Sequence, residues 1–401
     1  LAFNDEKELS QMYELTTEEL TQLGAVITAN EIKQQPELWQ EAFENYRSKE
    51  NEINRFLTDL SNQFQQIRVI FTGAGTSAYV GDTVLPYLKG QLNGKKWDLM
   101  SIPTTDLVSN PESFFANEIP TLLVSFARSG NSPESLAAVS LGKQLVKDFY
   151  QLTITCAFDG KLANQAEGDA KNLLLLMPEK ANDKGFAMTG SYSCMTLTAL
   201  LVFDLTSLSQ KAKWIEQLKV MGEDVLQRST EIQKIIDLDF NRVIYLGSGS
   251  LAGMTREAQL KILELTAGQI ATVFDSSLGF RHGPKSFVNE QTLVFVFTSN
   301  DPYTRQYDLD ILNELKQDQI ACYVSGLSVA RETNFGGNNF TFLGNGKDIP
   351  DAYLVLPYII FAQTIAVLSA IKVGNQPDTP SPTGTVNRVV KGVEIYPYQV
   401  D

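Results

Sequence analysis

Residues 68–77 read Arg68-Val-Ile-Phe-Thr-Gly73-Ala-Gly75-Thr76-Ser77: a short apolar strand running straight into a glycine-rich turn. The pattern returns 174 residues later as Arg242-Val-Ile-Tyr-Leu-Gly247-Ser-Gly249-Ser250. A second echo pairs Thr121-Leu-Leu-Val-Ser-Phe126 with Thr292-Leu-Val-Phe-Val-Phe297 at an offset of 171. Solenoid repeats recur every ~20–50 residues, so this spacing indicates duplication of a whole domain.

Outward from these strands, each half alternates short apolar runs with helical stretches. The first predicts strands near 68–73, 97–102, 120–126 and 152–157, with helices after Ser77 and Pro133. The second predicts strands near 242–247, 272–274, 292–298 and 320–324, with a helix from about Thr255 to Ile270. That alternation specifies an α/β fold: two parallel sheets flanked by helices, flavodoxin- or Rossmann-like. Residues 1–50 are acidic and helix-prone (Thr16-Thr-Glu-Glu-Leu, Pro36-Glu-Leu-Trp39), as in a helical arm, and Trp214–Ile236 reads as an amphipathic linker. The expected organisation is an arm (1–50), a first domain (51–212), a second domain (213–373) and a tail (374–401).

The 401 residues are 43% hydrophobic and 20% charged, enough apolar surface for a sizeable core. Lys and Arg number 33 against 47 Asp and Glu, a net charge of −14. Such a field repels nucleic acid and anionic lipid, and neither is expected as a partner. An anionic substrate would need a local cluster of donors. Cys156, Cys194 and Cys322 form no CxxC pair, and His282 is the single histidine, so no metal site is expected. Leu1–Ser10 carries three acids and no long apolar run, which makes a cytoplasmic location the expectation. Ala352–Ile371 is uncharged and long enough to span a bilayer, but Pro357, Gln363 and Thr364 interrupt it. It reads as a buried strand at Tyr353–Leu356 followed by a core helix starting at Pro357.

Two turns are rich in donors. Gly75, Thr76 and Ser77 close a strand and open a helix, where backbone N–H groups favour an anion. Arg128-Ser129-Gly130-Asn131-Ser132 follows the third strand and collects two hydroxyls, backbone donors and a cation, suiting a phosphate monoester. The bland reading is that Ser132 caps the helix from Pro133; a dinucleotide turn is a further alternative, with Asp98 as the ribose acid. In the second half, Ser299-Asn-Asp301-Pro-Tyr puts an acid where an anion would sit, so phosphate binding is expected in the first half alone. Glu257, Lys261 and Glu264 share one helical face at i, i+4 and i+7. They form either a surface salt bridge or a partly buried carboxylate suited to proton transfer. His282 lies in a loop bent by Gly279, Gly283 and Pro284 and flanked by Arg281 and Lys285.

Together, GxGTS, SGxS, Glu264 in Leu260-Lys-Ile-Leu-Glu, Arg281-His282-Gly-Pro284 and Lys391 resemble the sugar isomerase (SIS) family over roughly residues 50–395. Asp275–Phe287 and Lys184-Gly-Phe-Ala-Met-Thr look most like its galactosamine-6-phosphate deaminase/isomerase branch, often labelled tagatose-6-phosphate ketose/aldose isomerase. Ala74, Ala127, Arg128 and Met188 depart from the related glucosamine-6-phosphate synthase, and the chain has no amidotransferase domain. The resemblance implies two tandem SIS domains with the C-terminal tail at the active site. It implies that Thr76, Ser77, Arg128, Ser129 and Ser132 hold a substrate phosphate, with Gly75, Asn131 and Arg281 as lesser contacts. Glu264 would be the catalytic base, His282 would open the sugar ring, and Lys391 would stabilise the open chain or its imine. It further implies no cofactor and a homo-oligomer, in particular a homodimer, with shared active sites. A plain ketose/aldose isomerase and a non-catalytic sugar phosphate sensor are the alternatives.

Overall fold

All seven residues of Thr121–Ala127 are buried, which a strand attains in the middle of a sheet covered on both faces. In the computed structural model, which describes residues 11–331, 334–390 and 392–399, that strand centres a five-stranded parallel sheet. Its members are β1 (Ile67–Thr72), β2 (Trp97–Ser101), β3 (Thr121–Ala127), β4 (Phe149–Thr155) and β5 (Asn172–Leu176), in the order β2-β1-β3-β4-β5. A second parallel sheet holds β6 (Arg242–Gly247), β7 (Ala271–Ser276), β8 (Thr292–Phe297), β9 (Tyr323–Val329) and β10 (Asn338–Phe342), in the order β10-β9-β8-β6-β7. Each sheet winds outward in both directions from its first strand.

The duplication extends to register and side-chain contacts. Arg68 stands opposite Thr121, and Arg242 opposite Thr292. Each arginine donates from Nη1 to a carbonyl ahead of the third strand, Phe114 at 2.6 Å and Phe287 at 2.7 Å. Gly75 and Gly249 adopt nearly the same backbone, φ 56 and ψ −130 against φ 58 and ψ −126. Each opens a helix: α1 (Thr76–Gln91) and α4 (Ser250–Leu265). The helix expected from Thr255 therefore begins five residues earlier, straight after the turn. It ends before Ala267 and Gly268, both at positive φ.

The chain divides into two compact units, each discontinuous in sequence. The first sheet lies in Leu38–Asn182, Gly190–Ser207 and the segment from Val386 onward. It also holds α2 (Pro133–Leu145) and α3 (Gly190–Phe203), the latter buried along its whole length. The second sheet lies with the chain up to Glu37, Asp183–Thr189 and Leu208–Thr385, including α5 (Pro302–Asp318) and α6 (Asp351–Lys372). The N-terminal stretch is helical as expected, over Thr17–Gln22, Val26–Lys33 and Gln35–Gln63, preceded by a short Gln11–Met12/Leu15–Thr16 hairpin. Thr16 and Glu19 form a reciprocal capping box: Glu19 N donates to the Thr16 hydroxyl, and Thr16 N to the Glu19 carboxylate. The linker is two helices, Leu208–Gln227 and Ser229–Ile236.

One expectation fails. Tyr353–Leu356 is the opening of α6, not a strand, and Pro357 lies inside that helix. Proline removes the donor that would reach the Tyr353 carbonyl, a cost of about 3 kcal/mol in an exposed helix. Here Ala352–Ala370 is buried throughout, and apolar burial at about 25 cal/mol per Å² outweighs one lost bond. A continuous apolar run does not by itself distinguish strand from buried helix. The strands β5 and β10 were not anticipated. Both are edge strands; β10 is polar at three of its five positions, whereas the four consecutive leucines of β5 are an apolar run that the expected strand set left out.

The second core is aromatic. Phe297 stacks against Tyr245 at 5.8 Å and Tyr358 at 5.7 Å and is fully buried. Phe297→Ala is expected to lower unfolding free energy by about 3–5 kcal/mol, read by guanidinium denaturation. Leu343→Ala, at an exposed side chain, should stay within about 0.5 kcal/mol of the parent.

Candidate active site

Thr72 of β1 and Ser125 of β3 are paired neighbours, so the turns that follow these strands emerge side by side where the strand order reverses. In open α/β sheets that crevice is where ligands bind. In the first turn, a Cβ on Gly73 would come within 2.5 Å of the Ser77 backbone, so glycine is required for the helix to start so close to the strand. A Cβ on Gly75 would meet nothing within 4 Å: its positive φ swings the peptide toward open space. Thr76 and Ser77, the first residues of α1, are buried beneath it.

In the second turn, Gly130 (φ 64) folds the chain back on itself. Asn131 N donates to Ser129 Oγ at 3.3 Å, and Asn131 Oδ1 accepts from Lys161 N at 3.0 Å. Ser132 occupies the cap position of α2 but makes no capping bond; its hydroxyl donates to Ser135 Oγ at 2.6 Å. Ser132 therefore does not cap the helix through its side chain. The N–H groups of Gly130 and Ser132 donate to no acceptor among the described residues. Arg128 is buried and donates from Nη2 to the Arg388 carbonyl at 2.6 Å. This bond ties the C-terminal segment to the turn, and Gln144 Nε2 holds the same segment further on at the Tyr398 carbonyl, 3.2 Å. Lys391 itself lies outside the described residues. Thr76, Ser77, Arg128, Ser129 and Ser132 thus share two adjacent turns of one unit, with Gly75 and Asn131 between them.

The equivalent turns in the other unit carry acids. Asp301 caps α5 by accepting from Tyr303 N and Thr304 N. Asp308 accepts from the Ser248 hydroxyl at 2.6 Å and Ser299 N at 2.8 Å, as well as from the Ser277 hydroxyl. Asp351 accepts from the Ser299 hydroxyl and from Asn300 N. The donors of the Ser299 turn, together with the Ser248 hydroxyl, are thus occupied by the protein's own carboxylates. Sequence inspection found Asp301 and missed Asp308 and Asp351, which read as ordinary charges on a helix and at a helix start.

Glu264 lies on α4 of that second-sheet unit. Lys261 Nζ sits 3.2 Å from Glu257 Oε1 and 2.7 Å from Glu264 Oε2. The Lys261 and Glu257 side chains are fully enclosed, whereas Glu264 is 23% exposed. Burial pulls the Lys261 ammonium pKa down, but the two carboxylates more than offset it and the net shift is upward. The Glu257–Lys261 salt bridge exists, but in the interior, and Glu264 is the member of the three that reaches solvent. His282 follows the helical turn Gly279–Arg281 and is exposed. Buried Phe280 anchors the loop on one side. On the other, Arg281 Nε pairs with Glu314 at 2.6 Å, and Lys285 pairs with Glu314 and with Asp318 at 2.6 Å. Lys285 and then Arg281 hold the Glu314 carboxyl below its ordinary range. Arg281 is thus directed at α5, and the same clamp leaves His282 facing outward.

Burial lifts the Asp351 carboxyl to about 6, against the bonds from Ser299 and Asn300. The folded state then holds this proton more tightly than the unfolded chain, whose aspartate titrates near 3.9. Stability is therefore lost as pH rises through about 4 to 6. Asp351→Asn removes the charge; its amide oxygen can still accept from Asn300 N, while its NH2 would donate to the Ser299 hydroxyl. Its stability advantage should grow from near zero at pH 4 to about 2 kcal/mol at pH 8, measured by thermal unfolding at several pH values.

No protein-family model matches the chain. It is 44% identical over 385 residues to D-galactosamine-6-phosphate deaminase AgaS of Shewanella sp. (strain ANA-3), across 96% of this chain and 95% of that protein. The D-galactosamine-6-phosphate deaminase AgaS of Escherichia coli is 41% identical over 382 residues, across 93% and 96%. Among solved structures, the tagatose-6-phosphate ketose/aldose isomerase from Escherichia coli superposes with a TM-score of 0.82 at 38% identity, across 93% and 97%. These likenesses agree with the expected fold of two tandem sugar isomerase units.

Proposed function

Because the chain belongs to the D-galactosamine-6-phosphate deaminase AgaS family, we propose that it is an enzyme converting galactosamine 6-phosphate to tagatose 6-phosphate and ammonia. The observation that carries the reading is the division of labour between the duplicated turns. One pair offers hydroxyls and, among the described residues, two N–H groups without an acceptor; in the other, carboxylates take up the Ser248 hydroxyl and the donors of the Ser299 turn. Thr76, Ser77, Arg128, Ser129 and Ser132 would hold the phosphate, which fixes C1 and C2 relative to the catalytic groups. His282 would move a proton between O5 and O1 to open the ring.

Glu264 would take the proton from C2, leaving an enolamine with the C1–C2 double bond, and return it to C1. The product of that step is a ketose imine at C2. Water adds to the imine carbon, the C–N bond breaks, and ammonia leaves as the ketone forms. Lys261 keeps the base oriented, and Lys391 is assigned to the open-chain form. The working protein in this proposal is a homo-oligomer, in particular a homodimer, with shared sites. The likeness to the tagatose-6-phosphate ketose/aldose isomerase supports a second reading, in which the same residues isomerise a neutral sugar phosphate and no ammonia appears.

The deciding assay measures ammonia from galactosamine 6-phosphate beside glucosamine 6-phosphate, with the ketose identified by NMR. Ammonia with tagatose 6-phosphate is the expected result. Solvent exchange at C2 of a neutral aldose phosphate, without ammonia from either amino sugar, would move the assignment to the isomerase. Glu264→Gln should lower kcat about 10²–10⁴-fold with KM little changed; near-parental C2 exchange would remove Glu264 as the base. Ser129→Ala with Ser132→Ala should act mainly on substrate affinity, raising KM about tenfold or more.

A further inference from the structure

A cavity of about 300 Å³ in the second-sheet unit gathers three cations from three parts of the chain. Arg305 comes from α5, Arg331 from the segment after β9, and Lys347 from the loop before α6; Asn300 and Gln306 add polar wall. Arg331 is held by neutral acceptors. Arg331 Nη2 donates to the carbonyls of Asn300 (3.1 Å) and Lys347 (2.8 Å). Arg305 donates to the Ser299 carbonyl (3.1 Å) and Asn334 Oδ1 (2.6 Å). Among the described residues, neither Arg331 nor Lys347 forms an ion pair. The carboxylates behind Arg305, Asp308 and Asp351, are engaged by serine hydroxyls and backbone N–H groups.

A chain of net charge −14 has many acids with which to neutralise such a cluster, and it places none of them in an ion pair with Arg331 or Lys347. Burial, and in smaller part the like charge of Arg331, pull the Arg305 guanidinium below its ordinary pKa. Holding the buried Arg305 beside the half-buried Arg331 costs free energy that an anion in the cavity would recover. The cavity opens at the carboxyl ends of β8 and β9, the edge of an open α/β sheet where ligands bind. Its volume is at the lower end of small-molecule sites, and guanidinium forks match phosphoryl oxygens.

We propose that this cavity is a second anion site, which takes a small metabolite carrying a phosphoryl group and is separate from the donor turns after β1 and β3. The recognition differs in kind. The first site offers hydroxyls and backbone N–H groups, whereas here Asp301 already caps the helix and side-chain cations do the binding. Occupancy would stabilise the second-sheet unit by ligand linkage, and through Asn300 and Asp351 it bears on the start of α6.

The test uses the full chain carrying Ser129→Ala and Ser132→Ala, titrated with pyrophosphate by isothermal calorimetry. Binding should persist in this background, and adding Lys347→Glu should weaken it about tenfold. Lys347 is exposed, so the variant should fold as the parent does, with an unliganded melting temperature no lower than the parent's. Arg331→Lys keeps the charge but loses the fork and should weaken binding as well. Undiminished affinity in both variants, or no pyrophosphate binding once Ser129 and Ser132 are removed, overturns the proposal. Neither result bears on whether galactosamine 6-phosphate is deaminated.

Discussion

The constraint that organises each unit is the distance in which a strand must become a helix. A Cβ on Gly73 would stand 2.5 Å from the Ser77 backbone, and one on Gly247 would stand 2.9 Å from that of Leu251. Only a residue without a side chain lets the helix begin there, and only a positive φ two residues later, at Gly75 and Gly249, aims it correctly. Once the turn is made, the helix N-terminus is fixed over the carboxyl edge of the sheet. The third strand, paired to the first, then delivers its own turn alongside. The chemistry is placed by this geometry before any reactive side chain is considered.

Two copies of one scaffold have diverged at that edge. In the first unit the two turns present buried hydroxyls, a buried arginine and N–H groups without protein acceptors. In the second, Asp301, Asp308 and Asp351 satisfy the corresponding donors from within. That unit also carries Glu264, the base in the proposed function, on the helix that its own glycine turn launches. The Glu257–Lys261 pair explains how a carboxylate can be kept beside an apolar core. A buried cation between two acids leaves one negative charge, directed at the member that reaches solvent.

Much of this was legible in the linear sequence because it rests on local pattern. Strand runs and glycine turns are contiguous, so the repeat, the α/β class and the two donor turns could be read directly. The i, i+4, i+7 spacing of Glu257, Lys261 and Glu264 follows from helix geometry alone. What escaped depends on burial. Tyr353–Leu356 and Pro357 belong to one helix because the surrounding core compensates for a proline, and hydrophobicity alone does not record which periodicity prevails. Whether Lys261 is a surface charge or an interior one is likewise invisible in its neighbours. The ion pair between Arg281 and Glu314, 33 residues away in sequence, is equally invisible in the neighbours of either residue.

By itself the sequence determined the fold class, the duplication and the candidate residues, since each follows from periodicity, glycine position or a contiguous motif. The tertiary structure alone decided how far the Ser299 turn, already marked in the sequence by Asp301, is filled. That filling depends on carboxylates contributed by residues 308 and 351, brought to the Ser299 turn by folding. Charge satisfaction is a property of groups that meet in space, and a linear pattern lists the groups without stating which of them meet.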